Sequence, residues 1–261
     1  MLHEIDFADL YRNQKSVSAF RSKKSDEWDE KATDFNARVH QSAYIHDFIK
    51  RMNLEGCESL LDVGCGPGTL TLPLATALDK VHAMDFSAKM LECLRDNAQN
   101  CKLSNIQTYH LAWENDWSAL PEVDVAIASR SIEVADLKTA LEKLSQKARK
   151  RAYITYKTGG GFVDERLLEA LGRPVATRPD YLYPIAILWQ MGYFPKVDYI
   201  DIEGGSVRYD DKERFLKTLA WSLGELQPQE IERAEHFYDE VIMRGWRPKP
   251  FRWAFIHWET R

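Results

Sequence analysis

Short apolar runs alternate with amphipathic segments along most of this chain, and that alternation is the feature that most restricts the fold. Leu60–Val63 and Val123–Ser129 are almost entirely apolar, whereas Ser87–Cys101 repeats apolar side chains at helical spacing. A strand buried on both faces is apolar at nearly every position, and strands that alternate with helices favour a parallel sheet. The sequence therefore predicts an α/β fold with an open, mostly parallel sheet that is covered by helices on both faces.

The same criterion divides the chain into predicted elements. The predicted strands cover residues 59–63, 80–85, 106–110, 123–129, 151–156, 197–202 and 251–258. The predicted helices begin at residue 25, cover residues 38–52, 69–78, 87–101, 137–148 and 184–191, and include one that ends at Leu171 before Gly172. Residues 1–24 are polar and irregular, which leaves a mobile arm, a lid and a solvated tail as interpretations.

We expect a single domain over residues 1–261, because no linker divides the chain. Residues 1–55 are expected to form an N-terminal helical arm or lid, residues 56–158 a ligand-binding core, and residues 159–261 the rest of the sheet. A helical insertion with two apolar stripes is predicted at about residues 210–244. Ligands of open α/β sheets bind at the carboxyl ends of the strands, so we expect the insertion to lie there. Packing on the outer edge or a dimer contact is the alternative.

Charge and composition exclude some classes of function. The net charge is −5 and the pI is near 5.9, so no general electrostatic attraction draws the chain to nucleic acid or anionic membranes. No apolar stretch approaches the ~18 residues of a membrane span, and the acidic N-terminus lacks the apolar region of a secretory signal. The four cysteines form no C-x-x-C pair, which favours reduced thiols, no metal site and a cytoplasmic location. A monomer or a homodimer is expected.

The strongest functional signal is the turn Gly64-Cys65-Gly66-Pro67-Gly68, which directly follows the strand that ends at Asp62-Val63. Glycines there allow a tight turn and let a ligand lie against the backbone at the start of the next helix. Dinucleotides and S-adenosylmethionine both use such turns. A carboxylate at Asp62 would repel a pyrophosphate but favour the ammonium and sulfonium groups of S-adenosylmethionine. The dinucleotide fingerprint also requires a glycine where this chain has Thr69, so the turn predicts S-adenosylmethionine as the cofactor and S-adenosylhomocysteine as its product.

Asp85 is the second candidate for cofactor binding. It ends the strand Val81–Met84, about twenty residues after the glycine turn, and an acidic side chain at that place can accept hydrogen bonds from both ribose hydroxyls. The alternative is that Asp85 caps the following helix, although Ser87 is already available as a cap. We favour contact with the ribose.

The motif Asp62-Val-Gly-Cys-Gly-Pro-Gly, together with Met84-Asp85-Phe-Ser-Ala-Lys-Met-Leu, resembles the class I S-adenosylmethionine-dependent methyltransferases, specifically the type 11/25 group. The segment Trp28–Ala32 is similar to one that often precedes the cofactor domain in that group. The resemblance covers about residues 28–158 and is specific for the cofactor, not for the substrate. It implies a Rossmann-like sheet of seven strands with the last strand antiparallel.

The resemblance also implies roles for individual residues. Asp62 and Gly64 would flank the methionine part of the cofactor, Asp85 would hold the ribose, and Phe86 and Met90 would pack near the adenine. The family usually has an acid near position 111, where this chain has a leucine. The expected cofactor-binding residues are therefore Asp62, Gly64, Cys65, Gly66, Gly68, Asp85, Phe86, Met90, the backbone of Ala112 and Trp113, Asp116 and Ser129. A plain acidic loop is an equal interpretation for Glu114 and Asp116.

The strand that ends at Ser129-Arg130-Ser131 points to the substrate side of the crevice. Many methyltransferases of exocyclic amines have an Asn/Asp-Pro-Pro-aromatic run there, and its absence argues against base-amine chemistry. Arg130 can clamp a substrate carboxylate or phosphate, because a guanidinium binds either in bidentate fashion. A structural pair of Arg130 with Glu133 or Asp136 is equally compatible with the sequence. No catalytic base can be selected, and methyl transfer can proceed by alignment alone.

Three functions fit these observations. The first is methyl transfer to a small-molecule acceptor. The second is methyl transfer to protein or RNA, which a basic surface built from Lys147, Arg149, Lys150 and Arg151 would favour and the acidic total disfavours. The third is a non-catalytic S-adenosylmethionine-binding partner protein, whose sign would be a broken glycine turn. The turn is intact, so the sequence favours the first function.

Overall fold

Seven strands form one sheet in the computed structural model, which describes residues 2–18, 22–40, 42–159, 161–175, 178–202, 207–247 and 250–260. The remaining positions, which fall in the predicted arm and in the C-terminal part of the predicted domain, lie outside the described residues. The strands are β1 (Ser59–Val63), β2 (Lys80–Asp85), β3 (Ile106–His110), β4 (Val123–Ser129), β5 (Ala148–Lys157), β6 (Lys196–Ile202) and β7 (Phe251–Glu259). All seven were predicted, and the first four have the predicted bounds.

The strand order across the sheet is β3-β2-β1-β4-β5-β7-β6. The first five strands run parallel, whereas β7 is antiparallel to both of its neighbours, β5 and β6. The predicted fold class is confirmed, including the antiparallel last strand. Because the order reverses between β1 and β4, the ligand crevice of such a sheet is expected at the carboxyl ends of these two strands.

Ten α-helices surround the sheet within the part of the chain that the structure describes. They are α1 (Phe7–Val17), α2 (Ser25–Val39), α3 (Ala43–Lys50), α4 (Thr71–Ala75), α5 (Ala88–Asn100), α6 (Leu137–Lys147), α7 (Glu165–Leu171), α8 (Leu182–Gln190), α9 (Lys212–Leu223) and α10 (Pro228–Phe237). A short 3-10 helix precedes α1, and a π-helical turn follows α10. None of these helices is long and apolar enough to cross a membrane.

The N-terminal segment differs from its prediction, because the irregular stretch contains helix α1. Its side chains Ala8 and Tyr11 are buried one turn apart, and the hydroxyl of Tyr11 donates to the carbonyl oxygen of Val134 at 2.6 Å. The interpretation as a solvated tail is therefore wrong for α1. A stripe of so few apolar residues in a charged segment is too weak to identify from periodicity.

Two other helices also differ from the prediction. The continuous helix expected over residues 38–52 is interrupted, because α2 ends at Val39 and Ser42 caps α3 by accepting a hydrogen bond from the amide of Tyr44. Helix α4 is shorter than the predicted 69–78. The amide of Gly68 donates to the carbonyl oxygen of Cys65, so the glycine turn extends further along the chain before the helix begins.

Side chains on the two faces of the sheet form two separate cores. On β4, Ala126 and Ala128 pack toward helices α1, α6 and α8, whereas Val125 and Ile127 pack toward α3 and α4. This alternation follows from the two-residue period of a strand. Both faces are therefore covered, and the edge formed by the carboxyl ends of the strands is left for a ligand.

The predicted insertion is helical and forms a third core. Phe215 and Leu219 of α9 are fully buried together with Ala234 of α10 and Leu167 of α7. The two insertion helices thus bury their apolar stripes mainly against each other and against α7. This leaves the outer surface of α9 available for contacts with the N-terminal helices, which are described below.

Candidate functional site

The glycine turn after β1 folds across the end of β2. The backbone amides of Gly64 and Cys65 both donate to the carbonyl oxygen of Met84, at 2.8 and 3.0 Å. Gly64 has φ +72, and a Cβ atom there would lie 2.4 Å from the Cβ atom of Ser131. Only glycine fits at this position, because the backbone is left-handed and Ser131 occupies the space that a side chain would need.

Asp62 lies at the end of β1, directly before the turn. It is 2% exposed, and its Oδ2 accepts a hydrogen bond from the hydroxyl of Thr71 at 2.7 Å. Burial raises the pKa of Asp62 to about 7, the hydrogen bond from Thr71 opposes that rise, and the nearby carboxylate of Asp85 adds to it. A cationic group beside this buried carboxylate would stabilise its ionised form.

Asp85 ends β2 and holds the glycine turn in place. Its Oδ2 accepts from the amide of Gly66 at 2.8 Å, and its Oδ1 accepts from the amide of Ser87 at 2.9 Å. Burial raises the pKa of Asp85, and the backbone amides that donate to it lower that pKa. Ser87 caps α5 through the amide of Met90, so Asp85 is not the helix cap. The amide of Phe86 also donates to this carboxylate, and a carboxylate has about four acceptor sites, so one is left for a ribose hydroxyl.

Helix α2 lies over the start of α5, next to the turn. Oδ1 of Asp29 accepts from the hydroxyl of Ser87 at 2.5 Å and from the amide of Lys89 at 3.1 Å. Further along, the side-chain amide of Asn97 donates to Asn36 at 2.8 Å and to the carbonyl oxygen of Pro67 at 3.0 Å. Helix α2 is therefore fixed to both the turn and the helix that follows Asp85.

Aromatic contacts connect the turn with the insertion through α2. The ring of Phe35 would lie 3.9 Å from a Cβ atom at Gly66, and it packs edge-on against Trp28 at 5.8 Å between centroids. Trp28 in turn packs edge-on against Trp221 of α9 at 5.5 Å. The insertion therefore contacts the helix that covers the turn.

Two further predicted residues lie beside Asp85. Phe86 is half-buried, and its carbonyl oxygen lies 3.0 Å from Nε2 of His110, whereas Met90 is 2% exposed. Cys65 is buried within the turn, and burial raises the pKa of its thiol well above the ordinary value. A thiol in this state is a small apolar group and not a nucleophile.

Several polar groups of the loop after β3 already have hydrogen-bond partners within the protein. Nε1 of Trp113 donates to the carbonyl oxygen of Ser131 at 2.9 Å, and the amide of Ala112 donates to Oδ1 of Asn115 at 2.6 Å. Asp116 is exposed, and its carboxylate accepts from the amide and hydroxyl of Ser118. Contact of Ala112, Trp113 and Asp116 with the adenine stays a prediction.

Three hydroxyl groups meet at the carboxyl ends of β4 and β5. The hydroxyl of Tyr44 lies 2.6 Å from the hydroxyl of Ser129 and 2.7 Å from that of Thr155. Tyr44 is fully buried, and burial raises its pKa while nearby Arg130 lowers it. The guanidinium of Arg130 lies 4.3 Å from the centre of the Tyr44 ring, and Arg130 has φ +58. Such a backbone conformation is uncommon for arginine and is often found at functional sites.

The two acids considered as structural partners of Arg130, Glu133 and Asp136, contact other residues. Nη2 of Arg178 lies 2.6 Å from Oε2 of Glu133, and Asp136 caps α6 by accepting from the amide of Thr139 at 3.1 Å. Arg130 is exposed. Its guanidinium lies on the Tyr44 ring at the carboxyl end of β4, and contact with a substrate stays a prediction.

Several polar residues of this region were missed from the sequence. These are Asp29, Tyr44, Thr71 and Thr155. Their hydrogen bonds join segments that are distant in sequence, and 111 positions separate Tyr44 from Thr155. Only Asp29 had a signal, because it belongs to the segment Trp28–Ala32 that carried part of the resemblance.

Comparison with known proteins agrees with this geometry. The family described as "Methyltransferase domain" matches residues 60–151. A Haemophilus influenzae protein described as uncharacterized is 36% identical over 99% of this chain and 98% of its own. A trans-aconitate 2-methyltransferase of Mycolicibacterium gilvum is 24% identical over 47% of this chain, and the match spans only 46% of that protein.

The fold is also similar to solved structures. Coclaurine N-methyltransferase bound to N-methylheliamine and S-adenosylhomocysteine superposes with a TM-score of 0.54 at 13% identity, over 99% of this chain and 96% of the other. At this identity the likeness concerns the fold alone. Taken together, the family match, the full-length relative, the strand order and the glycine turn assign this chain to the class I S-adenosylmethionine-dependent methyltransferase family.

Proposed function

We propose that this protein transfers the methyl group of S-adenosylmethionine to a small-molecule acceptor. The observation that carries this proposal is the pair of buried carboxylates, Asp62 and Asp85, that end two adjacent strands on either side of the glycine turn. A pyrophosphate at this place would meet two negative charges. An ammonium beside Asp62 and ribose hydroxyls beside Asp85 would instead meet favourable partners.

We assign the cofactor contacts on this basis. Asp62 and Gly64 bind the methionine part, Asp85 binds the ribose, and Phe86 and Met90 pack against the adenine. The residues Cys65, Gly66, Gly68, Ala112, Trp113, Asp116 and Ser129 complete the proposed cofactor site. When bound, S-adenosylmethionine supplies an electrophilic methyl group on its sulfonium. The residues of this chain then orient the two reactants and exclude water, and no side chain is assigned as a general base.

The contacts of helix α2 support a small acceptor. Helix α2 contacts both the glycine turn and Trp221 of the insertion, so we propose that α2 and α9 together act as the lid of the pocket. A trans-aconitate 2-methyltransferase, one of the curated relatives, is named for a small-molecule substrate. A crevice covered by such a lid would admit a metabolite more easily than a folded protein or an RNA.

The basic residues that would favour RNA lie elsewhere. Arg149 and Lys150 are at the amino end of β5, the opposite edge of the sheet from the turn, and they lie 3.5 and 3.7 Å from the carboxylate of Asp124. Lys147 donates to the carbonyl oxygen of Leu120. This location gives no support to a nucleic-acid acceptor at the proposed site.

Calorimetry and labelled methyl transfer test the proposal. We expect the protein to bind S-adenosylmethionine and S-adenosylhomocysteine and to have no measurable affinity for NAD. With isotopically labelled S-adenosylmethionine, label is expected in small molecules of a metabolite extract and not in its protein or RNA fraction. Tight binding of NAD without binding of either sulfur nucleoside would contradict the cofactor, and label only in macromolecules would contradict the acceptor.

Cofactor binding should depend on pH through Asp62. Burial raises the pKa of Asp62 to about 7 in the free protein, and an ammonium beside it favours the ionised form, so binding releases a proton below that pH. Affinity should rise up to about tenfold per pH unit below 7 and level off above it. Calorimetry in buffers with different ionisation enthalpies measures the released proton. Asp62→Asn should give weaker binding with a flat profile, whereas equal slopes in both proteins would exclude Asp62 as the cause.

A further inference from the structure

A group of hydrogen-bond donors lies at the ends of β5 and β7, beside the proposed cofactor site. Lys157 and Trp253 are directly opposite each other in the antiparallel pair, so their side chains lie on the same face of the sheet. Both are buried, at 6% and 5% exposure. Nζ of Lys157 lies 4.6 Å from the ring centre of Phe251, the next residue on that face of β7.

Trp253 contributes a buried donor. Its indole Nε1 has no hydrogen-bond partner in the part of the chain that the structure describes. Buried polar groups in native proteins are nearly always paired, because leaving one unpaired costs free energy. An indole N–H can only donate. A ligand atom that accepts hydrogen bonds would resolve this deficit.

Cationic side chains surround the same place. The guanidinium of Arg178 and the ammonium of Lys157 lie 4.8 and 5.8 Å from the ring centre of Phe162. Arg178 is paired with Glu133, and the carbonyl oxygen of Glu133 accepts from the ammonium of Lys15 at 2.8 Å. The charge of Glu133 also acts to raise the pKa of Lys15 and of Lys157, so all three cations lie near this residue.

A second nearby acid among the described residues, Asp180, is directed toward the backbone. Its carboxylate accepts from the amide of Gly159 at 3.2 Å and from the amide of Tyr181 at 2.6 Å. Among the described residues, the three cations Lys15, Lys157 and Arg178 lie near two carboxylates, those of Glu133 and Asp180. The ammonium of Lys157 also donates to the carbonyl oxygens of Thr158 and Gly159, at 3.2 and 3.1 Å. An anionic ligand group that reached these buried cations would gain charge-assisted hydrogen bonds from them.

The group is continuous with the end of β4. The ring of Tyr44 lies 6.5 Å from that of Trp253 between centroids, and the guanidinium of Arg130 lies on the same Tyr44 ring at 4.3 Å. Strand β4 stands between β1, which carries the glycine turn, and β5. An acceptor that extends from β5 toward β4 would bring its far end to the cofactor.

We propose that Lys157, Arg178 and Trp253 bind an anionic group, a carboxylate or a phosphate, of the methyl acceptor. The identification of the ligand as the acceptor rests on the proposed function, whereas the anion site itself does not. The two cations supply charge, the indole supplies a directed N–H, and Phe162 and Phe251 exclude water around them. Arg130 is left for a second polar group of the acceptor, nearer the cofactor.

Calorimetry on the full-length protein tests the anion site directly. Malonate and inorganic phosphate are the probes, malonamide is the neutral control, and chloride keeps the ionic strength constant. One or both anions should bind while malonamide does not, and the tighter of the two identifies the chemistry of the group. Lys157→Met and Arg178→Gln should each weaken binding about tenfold or more, since each removes a charged donor.

Matched controls are available on the same strands. Trp253→Phe should weaken anion binding about threefold to tenfold. Trp258→Phe should leave it unchanged, because Nε1 of Trp258 already donates to the hydroxyl of Ser145 at 3.1 Å near the other end of β7. Lys150→Met at the amino end of β5 should also have no effect. Glu133→Gln should preserve or strengthen binding, which separates loss of charge from loss of the ion pair with Arg178.

The pH dependence gives an independent readout. Burial lowers the pKa of Lys157 to about 8, Arg178 lowers it further, and Glu133 and Asp180 raise it. Because the ammonium is lost above that pH, anion affinity should fall as the pH rises through about 8, and Lys157→Met should lack this decline. Absence of binding for both anions, or equal binding by all variants, overturns the anion site. Titration of S-adenosylhomocysteine into the same samples tests the proposed function separately, so the two can fail independently.

Discussion

Replacing Gly64 with alanine should destabilise the protein strongly and abolish binding of S-adenosylhomocysteine. The left-handed backbone, with φ +72, costs an alanine about 1–2 kcal/mol. The added Cβ atom would also lie 2.4 Å from that of Ser131, and overlap of this kind in a packed region costs about 1–3 kcal/mol. We expect the free energy of unfolding in urea to fall by about 2–5 kcal/mol in total, with the turn displaced from its contacts with Met84.

Gly192→Ala is the matched control, because Gly192 has φ +90 with nothing within 4 Å of the added Cβ atom. It should lose only the backbone part of the stability and retain cofactor binding. Ser131→Gly provides the complementary control, since it removes the opposing side chain. In a double-mutant cycle, Gly64→Ala should cost less in the Ser131→Gly background than in the wild type. Equal losses at Gly64 and Gly192 would mean that contact with Ser131 is unimportant.

The sheet could be predicted from the sequence because its strands are buried on both faces. Val123–Ser129 and Lys80–Asp85 have the predicted bounds, since an apolar run bounded by turn residues is a local signal. Helix α1 was not predicted, because its burial depends on a few side chains such as Tyr11, whose hydroxyl contacts the distant Val134. The break between α2 and α3 depends on the cap at Ser42. It was not predicted, because the apolar spacing continues across it.

The candidate site likewise contains residues that the local sequence predicts and residues that it does not. Asp62, the glycine turn and Asp85 follow directly from the strand ends, so local sequence was sufficient to find them. Among the described residues the indole of Trp253 has no hydrogen-bond partner. This feature and the pair of Arg178 with Glu133 arise only when distant parts of the chain come together around β4, β5 and β7. Nothing in the residues adjacent to Trp253 or Arg178 distinguishes them from structural side chains. The residues proposed for cofactor binding could therefore be named from the local sequence, and those proposed for the acceptor required the fold.

Replacing Asp85 with alanine should weaken binding of S-adenosylhomocysteine by about 1.5–3 kcal/mol, because ribose hydroxyls lose a charged acceptor. The substitution also leaves the amides of Gly66 and Ser87 without the oxygens that lie 2.8 and 2.9 Å away. A loss of affinity alone would therefore not separate direct contact from support of the turn. Asp136→Ala is the control for loss of an acid at a helix start, because Asp136 caps α6 and not α5.

The 2′,3′-dideoxy analogue of S-adenosylhomocysteine resolves the two roles of Asp85. If the carboxylate binds the ribose, the wild type should prefer the natural ligand over the analogue, and Asp85→Ala should lose most of that preference. If Asp85 only holds Gly66 in position, both ligands should weaken equally and the preference should persist. Asp136→Ala should lower the thermal midpoint without changing either affinity. Because the cycle compares two ligands in one protein, a displaced turn affects both measurements alike, and the remaining difference reports the hydrogen bonds between Asp85 and the ribose.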